Sequence, residues 1–358
     1  MNKKNILIFP GDEVGPEITH EAIKIINYLN ECKLCNINYE FADIGGSALD
    51  KYDCPIRQDD LDKAKAADAV LLACVGTPKY DNNKRELKPE FGLLQLRKYL
   101  NLYINIRPIF VFNVLADFSS LKPELINDLD MVIIRELIGD VYFGEPRGFK
   151  DVNGDKVGFN TMLYSTSEIE RITKFAIQVA KKRNNTITSI DKANVLECSQ
   201  LWRQTVEREI LDHSEITLQH MYVDNAAMQI IKNPKQFDVI LTPNLFGDIL
   251  SDAASMLTGS IGLLPSASLS DKSGMYEPIH GSAPDIAGKG IVNPLAMILS
   301  LAMMFEYTFD ALNIAKLIRK CVNNVLTNGY YTKDLSPDDF ISTSEMGDKI
   351  IDELKKNV

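Results

Sequence analysis

FDVILTPNLFGDILSD, residues 237–252, sets the fold class of this chain. Its first part, FDVILTP (Phe237–Pro243), is a short apolar run rich in β-branched residues and closed by a proline, the pattern of a buried strand. From Asn244 the spacing turns helical, with Leu245, Ile249 and Leu250 on one side and Asn244 placed to cap the new helix. A strand that runs directly into a helix is the building unit of an α/β domain. On this helix Asp248 and Asp252 lie four residues apart, so both carboxylates project from one face, about 5.4 Å apart. Two anions at that spacing repel, and the segment holds no Lys or Arg to offset them. A hard divalent cation such as Mg2+ or Mn2+, which takes carboxylate oxygens, resolves the repulsion. Two aspartates on a solvated helix face is the plainer alternative, and the pair alone does not decide.

The same grammar opens the chain. NILIFP (Asn5–Pro10) reads as a buried strand, Gly11 and Gly15 permit a tight turn, and Pro16 suits a first helical position. Ile18, Ala22, Ile25, Ile26 and Leu29 then follow at helical spacing. Neither a G-x-G-x-x-G fingerprint nor a Walker loop occurs anywhere. A dinucleotide, if bound, is held in another way. DAVLLACV (Asp68–Val75) is a further strand. Between Gly92 and Pro108, Leu93, Leu94, Leu96 and Leu100 give a helix face before strand character returns. Arg97 and Arg107 thus stand at opposite ends of one helix–strand unit, and Arg135 ends the strand MVIIRE; the three can converge on an anionic ligand. VYFGEPRGFKDVNGDKVGFNTMLYS (Val141–Ser165) reads as a protruding hairpin, a natural dimer arm over about 142–165. Lys192 sits in SIDKANV, Asp224 at a strand-to-helix junction in MYVDNAAMQII, and two helices, around Leu295–Phe305 and Asp310–Leu326, close the chain.

Composition narrows the partners. The 358 residues are 45% hydrophobic and 25% charged, ordinary for a globular chain with room for two domains. A formal charge of -10 argues against nucleic acid or an anionic membrane as the main partner. No apolar run reaches membrane-spanning length, and the opening MNKKNILIFPGD carries no long apolar leader segment. The six cysteines are scattered. Cys32 and Cys35 form a lone C-x-x-C without a second pair, so unpaired thiols in a reducing cytoplasm are expected.

PGDEVGPE, GLLQLRKYLNLYINIRP, RELIGDVYFGEPRG, SIDKANVL, YVDNAAMQ, NLFGDILSDAASMLTGSIGLLPSAS and EPIHGSAPDIAGKGIVNP occur in this order over nearly the whole chain. Together they resemble the isocitrate/isopropylmalate dehydrogenase family of metal-dependent β-decarboxylating dehydrogenases. The resemblance implies an α/β fold of two domains sharing a central mixed sheet, not a Rossmann fold. One domain, 1–102 plus 259–358, would bind the cofactor; the other, 103–258, would carry the arm, the dimer contact and the metal and substrate site. It implies a homodimer whose clefts are completed by the neighbouring subunit, with neither nucleic acid nor membrane as partner.

The chemistry implied is oxidation of (2R,3S)-3-isopropylmalate by NAD+, followed by loss of CO2 to give 4-methyl-2-oxopentanoate, a step of leucine biosynthesis. Arg97, Arg107 and Arg135 supply planar cations for the substrate carboxylates. Asp248 and Asp252, with Asp224 from the other subunit, would hold Mg2+ or Mn2+ against the substrate hydroxyl and its adjoining carboxylate. Lys192 resembles the base for the hydroxyl proton, which requires a neutral amine, and Tyr142 the acid that protonates the enolate carbon. Leu93, Leu94 and Val195 match the isopropyl pocket, where burial of that group gains about 2 kcal/mol and a carboxylate would find no partner. Glu90 matches a residue beside the nicotinamide. Asp285 matches a carboxylate that accepts from both ribose hydroxyls and repels a 2′-phosphate, which favours NAD over NADP. Gly281, Ser282, Ala283, Ile286 and Asn293 complete that loop, with His280 and Val14 at its border. Two alternatives remain: a sister enzyme acting on D-malate or tartrate, and a silent regulatory paralogue. The second is disfavoured by the presence of every acid, base and ligand.

Overall fold

A computed structural model describes residues 2–358. The chain divides into two compact units: Met1–Leu102, Phe112–Ser120 and Thr258–Val358 form the first, Tyr103–Val111 and Leu121–Leu257 the second. In chain order the first unit begins with β1 (Lys4–Gly11), α1 (Gly15–Glu31), β2 (Ile37–Phe41), α2 (Gly46–Tyr52), α3 (Gln58–Ala66), β3 (Ala69–Cys74) and α4 (Pro89–Tyr99). The second holds β4 (Ile104–Phe110), α5 (Pro123–Ile126), β5 (Asp130–Glu136), β6 (Gly148–Val152), β7 (Asp155–Phe159), α6 (Thr166–Lys181), β8 (Thr186–Asp191), α7 (Glu197–Ile210), β9 (Thr217–Tyr222), α8 (Val223–Lys232), β10 (Val239–Thr242) and α9 (Asn244–Ser255). The first unit resumes with β11 (Pro265–Leu269), β12 (Gly274–Pro278), α10 (Leu295–Tyr307), α11 (Leu312–Thr327) and α12 (Thr343–Asn357).

Strands of the first unit are ordered β2-β1-β3-β12-β11. All neighbours are parallel except β11, which runs antiparallel to β12. Ile6, Leu7, Ile8 and Phe9 in β1 are all buried, as a continuous apolar run is when both faces of a sheet are covered. One cover is α10, whose residues Leu295 to Phe305 are all buried; a helix apolar all round belongs in the interior. Three helices close the chain, not two: Ser342 and Glu345 form a reciprocal capping box that starts α12.

The second unit orders its strands β4-β5-β10-β8-β9. β5, β10, β8 and β9 are mutually parallel, and β4 is antiparallel to β5. β6 and β7 pair only with each other as a hairpin, with Phe149 exposed at 75%. The hairpin is shorter than the Val141–Ser165 stretch, since Tyr142 lies in a single turn of 3-10 helix, Asp140–Tyr142. Among the described residues no helix is long and apolar enough to cross a membrane, and the six cysteines are free.

Candidate active site

Ligands of open α/β sheets settle at the carboxyl ends of parallel strands. In the second unit that edge carries Arg135 within the last two residues of β5 and Lys192 immediately after β8. It also carries Asp224 in the first turn of α8 after β9, and α9 after β10. Arg107, from the middle of β4, reaches the same helix: its Nη2 lies 3.2 Å from Asp248 Oδ1 and its Nη1 3.2 Å from Asp252 Oδ1. Nη1 also donates to Ser251 Oγ at 2.6 Å. Arg135 Nη1 donates to Asp248 Oδ1 at 2.5 Å, and the Tyr142 hydroxyl to Asp248 Oδ2 at 2.6 Å. Both arginines are buried. The repulsion between Asp248 and Asp252 is therefore met by two guanidiniums from β4 and β5, more than a hundred residues away in sequence, which inspection of the helix alone could not reveal. Asp252 keeps a pKa above the ordinary carboxylate value, first through desolvation and further through Asp248, while Arg107 acts in the opposite sense.

Asn244 is not the cap expected from sequence. Pro243 holds that position, and Asn244 is the first helical residue with its side chain fully buried. Its Oδ1 accepts from Arg135 Nε at 2.9 Å and Nη2 at 2.6 Å. Its Nδ2 donates to the carbonyls of Leu137 at 2.9 Å and Gly139 at 3.2 Å. The helix N-terminus is satisfied from elsewhere in the unit. The Asn244 N–H donates to the Tyr164 hydroxyl at 2.8 Å, and the Leu245 N–H to Asp140 Oδ2 at 3.2 Å. A buried carboxylate thus faces the positive end of α9, although desolvation still holds Asp140 above its ordinary pKa. Gly247 is required here: a Cβ would lie 2.7 Å from Arg135 Cγ and 2.8 Å from Thr242 Cγ2. Ile249, expected on the apolar side, is instead 56% exposed.

Lys192 and Asp224 form a second, separate grouping. Lys192 Nζ donates to Asp224 Oδ1 at 2.6 Å, and this bond pulls Asp224 below its ordinary pKa. Beneath them Asp191, fully buried, accepts from Arg203 Nε and Nη2, both at 2.9 Å, and from the Ala193 N–H at 2.9 Å. Val195, on the turn after Lys192, is exposed. Among the described residues no three His, Cys, Asp or Glu side chains gather into a metal site. Asp224 is grouped with Lys192, and Asp248 with Asp252 and the arginines.

The first unit presents its own loops at the carboxyl ends of β1, β3 and β12. Asp12, just past β1, accepts the N–H groups of Gly46 at 2.9 Å, Ser47 at 2.9 Å and Gly76 at 2.8 Å. It ties the turn after β1 to the loop after β3. Val14 is buried and its N–H donates to the Ser282 carbonyl at 3.2 Å. Glu90 and Ser282 both border Gly76, where a Cβ would lie 3.2 Å from Glu90 Oε1 and 3.5 Å from Ser282 Oγ. His280 lies near the Gly281 carbonyl through Nδ1 at 2.9 Å, its Nε2 is buried without a partner, and burial lowers its pKa. Gly281 and Asp285 are exposed, and Ser282, Ala283 and Ile286 partly so. Asn293 departs from expectation. It is buried and its amide is spent on the fold, donating to Asp334 Oδ2 at 3.0 Å and accepting from the Leu295 N–H at 3.0 Å. Leu93 and Leu94 are half-buried on α4. Arg97, from the same helix, is held within its unit by Glu277 at 2.8 Å in a buried ion pair.

Missed by sequence reasoning were Asp12, Asp140, Tyr164, Asn244 in its actual role, and Glu277. Each acts through partners remote in sequence; a lone buried acid beside a glycine turn, as in Pro10-Gly11-Asp12 and Ile138-Gly139-Asp140, is the only local sign.

Residues 5–350 match the family described as isocitrate/isopropylmalate dehydrogenase. The chain belongs to that family. It is 54% identical over 349 residues to a 3-isopropylmalate dehydrogenase of Thiobacillus denitrificans, covering 97% of this chain and 99% of the relative. A 3-isopropylmalate dehydrogenase of Pseudomonas savastanoi pv. phaseolicola is 52% identical over 356 residues, with 98% and 99% covered. Among solved structures, isocitrate dehydrogenase from Methylococcus capsulatus superposes with a TM-score of 0.89 at 31% identity, covering 98% of this chain and 99% of that one. The apo β-decarboxylating dehydrogenase of Thermococcus kodakarensis gives 0.79 at 33% identity, covering 99% and 96%. The α/β class with a large mixed sheet is the one expected from the sequence, and the family is one of dehydrogenases.

Proposed function

We propose that this chain is an NAD-dependent 3-isopropylmalate dehydrogenase that oxidises and decarboxylates (2R,3S)-3-isopropylmalate to 4-methyl-2-oxopentanoate in leucine biosynthesis. The observation that carries the reading is the clustering of Arg107, Arg135, Tyr142, Asp248 and Asp252 at one end of the second unit, on a chain more than half identical to a relative of that name. Arg107 and Arg135 bind substrate carboxylates; Arg97, held by Glu277 in the first unit, is a further carboxylate-binding candidate. Asp248 and Asp252, with Asp224, offer hard oxygen donors that fit Mg2+ or Mn2+. A dication held there would supply Lewis acidity toward the substrate hydroxyl, and NAD+ held in the loop of Asp285 would supply the hydride acceptor.

Lys192 in its neutral form takes the hydroxyl proton and becomes the ammonium; the Nζ–H bond to Asp224 Oδ1 at 2.6 Å fixes the nitrogen's position in either form. Tyr142 delivers a proton to the enolate carbon; its hydroxyl is held in place by Asp248. Leu93 and Leu94, half-buried on α4, are candidates to contact the isopropyl group, and the exposed Val195 is another. Glu90 borders the nicotinamide, while Asp285 takes the ribose hydroxyls in a loop made by His280, Gly281, Ser282, Ala283 and Ile286, with Val14 beneath it and Asn293 as a brace. The first unit, to which Phe112–Ser120 and Thr258 also belong, carries the cofactor role expected for 1–102 with 259–358, and the second the dimer and substrate role expected for 103–258.

The homodimer reading has two supports. Lys192 and Asp224 are bonded to each other and grouped apart from Asp248, which suits a pair that reaches the site of a second copy. Met228 and Ile231 of α8 and Ile249 of α9, helices that pack on each other, are also exposed apolar residues of the sort a subunit contact covers. The β6–β7 hairpin is the arm of that dimer. With six free cysteines, the enzyme works in a reducing cytoplasm. The test is NADH formation by purified protein on isopropylmalate, isocitrate and D-malate, each with and without Mg2+. Preference for isopropylmalate that depends on the metal is expected; D-malate or isocitrate as the better substrate would overturn the assignment.

A further inference from the structure

We propose that Glu17 is a positioning residue for the dinucleotide: its carboxylate holds the loop after β12 in the shape that presents Asp285. The inference rests on the reading of that loop as the NAD site. Glu17 stands in the first turn of α1. Its Oε1 accepts the N–H of Gly288 at 2.5 Å and its Oε2 the N–H of Gly290 at 3.2 Å. Both glycines have positive φ, +73° and +63°, yet a Cβ on either would meet nothing within 4 Å. Glycine is needed there for backbone conformation rather than for space. That conformation turns two amides of a solvent-facing loop toward one carboxylate.

Other ties hold the flanks. The Val14 N–H donates to the Ser282 carbonyl at 3.2 Å and the Thr343 N–H to the Gly290 carbonyl at 2.9 Å. The Thr343 hydroxyl donates to the Val292 carbonyl at 2.6 Å, and Lys289 Nζ to the Asp285 carbonyl at 2.6 Å. Between Ser282 and Gly290 the loop forms no helix or strand, only turns closed by the Ile286 N–H on Ala283 and the Lys289 N–H on Ile286. Among the described residues, Glu17 is the one side chain outside the loop that bonds to its backbone in that interval. Without it the loop samples other shapes, and cofactor affinity falls by the fraction of time the right one is lost. The arginine–aspartate cluster and Lys192 belong to the second unit and are held by partners of their own, so the hydroxy-acid side is spared.

The experiment measures KM for NAD+ and for isopropylmalate separately in wild type, Glu17→Gln and Glu17→Ala, with ADP-ribose binding by calorimetry and thermal unfolding of each. For Glu17→Ala we expect KM for NAD+ and the ADP-ribose Kd to rise about tenfold, with kcat at saturating NAD+ and KM for isopropylmalate within about twofold. Glu17→Gln, which retains one acceptor oxygen, should fall between. Unchanged NAD+ and ADP-ribose affinity in Glu17→Ala would overturn the proposal. So would an equal rise in both KM values accompanied by a large drop in melting temperature, the mark of a merely structural role. If wild type itself fails to bind ADP-ribose, the NAD-site reading fails, an outcome distinct from wild type and variant binding alike.

Discussion

Replacing Asn244 by alanine removes a side chain that makes four hydrogen bonds without contact with water. Two come from the Arg135 guanidinium and two go to the carbonyls of Leu137 and Gly139. Bonds to neutral carbonyls contribute about 1 kcal/mol each and bonds from a charged group about 1.5–3. Arg135 retains Asp248, so its loss is partial, and the variant should be destabilised by about 4 kcal/mol, in the range of a broken buried polar network. For a chain of 358 residues, with unfolding entropy near 2 cal/mol/K per residue, that is a fall of about 5 °C in melting temperature. Arg135 also loses the acceptor that fixes its plane, so KM for isopropylmalate should rise about tenfold, while KM for NAD+ stays put. Circular-dichroism melts and initial-rate kinetics measure both. A melting temperature within 1 °C of wild type, with KM for isopropylmalate unchanged, would refute the claim that this amide organises the site. Asn244→Asp sharpens the comparison: it still accepts from Arg135 but sets an oxygen against two carbonyl oxygens, so it should lose stability while keeping more of the substrate affinity than alanine does.

Lys192→Ala should abolish turnover and leave NAD+ binding by calorimetry largely intact; near-normal turnover would remove the base assignment. Co-expressed Lys192→Ala and Tyr142→Phe chains should regain activity that neither has alone, because in the proposed dimer one mixed site would receive Tyr142 from one chain and Lys192 from the other. Failure to complement, with mixed dimers demonstrated by mass spectrometry, would return Lys192 to the site of its own chain. Glu136 is fully buried, and desolvation raises its pKa from 4.5 to about 7 against the pull of the Gly139 amide and Arg171. A folded-state pKa above the unfolded one contributes stability below pH 4.5 that is lost as pH rises through 7, about 3 kcal/mol in all. Urea titrations should therefore show less pH dependence over that window for Glu136→Gln than for wild type, and equal slopes would exclude Glu136 as the source.

What the sequence disclosed follows from the range of the interactions involved. Strands such as NILIFP and DAVLLACV, and the helix after Asn244, are written in local periodicity, and the structure places them at β1, β3 and α9. Asp248 and Asp252 could be set on one face because helix geometry alone decides that. α12 was legible but passed over: its Ser342…Glu345 capping box stands in the sequence, whereas polar residues such as Asp348, Lys355 and Lys356 dilute its apolar stripe. β11, Pro265–Leu269, was hidden for the opposite reason, since PSASL has almost no apolar signal and is a strand through pairing with β12. Asn244 was misjudged because capping statistics describe the backbone ahead of a helix, while Arg135 competes for the same oxygen from a different strand. Asp12, Asp140 and Tyr164 belong to that class as well: their chemistry becomes visible only when remote loops meet.

The distribution of charge links the fold to the reaction. Asp248 and Asp252 bring two negative charges to α9, and Arg107 and Arg135 bring two positive ones from β4 and β5, so the cluster of the single chain is internally balanced. This balance lets it fold without a cation, because buried guanidiniums left unpaired would be costly. A doubly anionic substrate adds two negative charges to such a cluster and competes with the aspartates for the same N–H donors. Asp248 and Asp252 would hold a dication, whose two positive charges would restore neutrality and leave guanidinium donors for the incoming carboxylates. On the proposed function the same arginines would serve first as counter-ions for the fold and then as ligands for the substrate. On this reasoning metal and hydroxy acid must each strengthen the binding of the other by the same factor, since linkage is reciprocal. Tyr142 is tied into the exchange, because its hydroxyl rests on the carboxylate whose partners change.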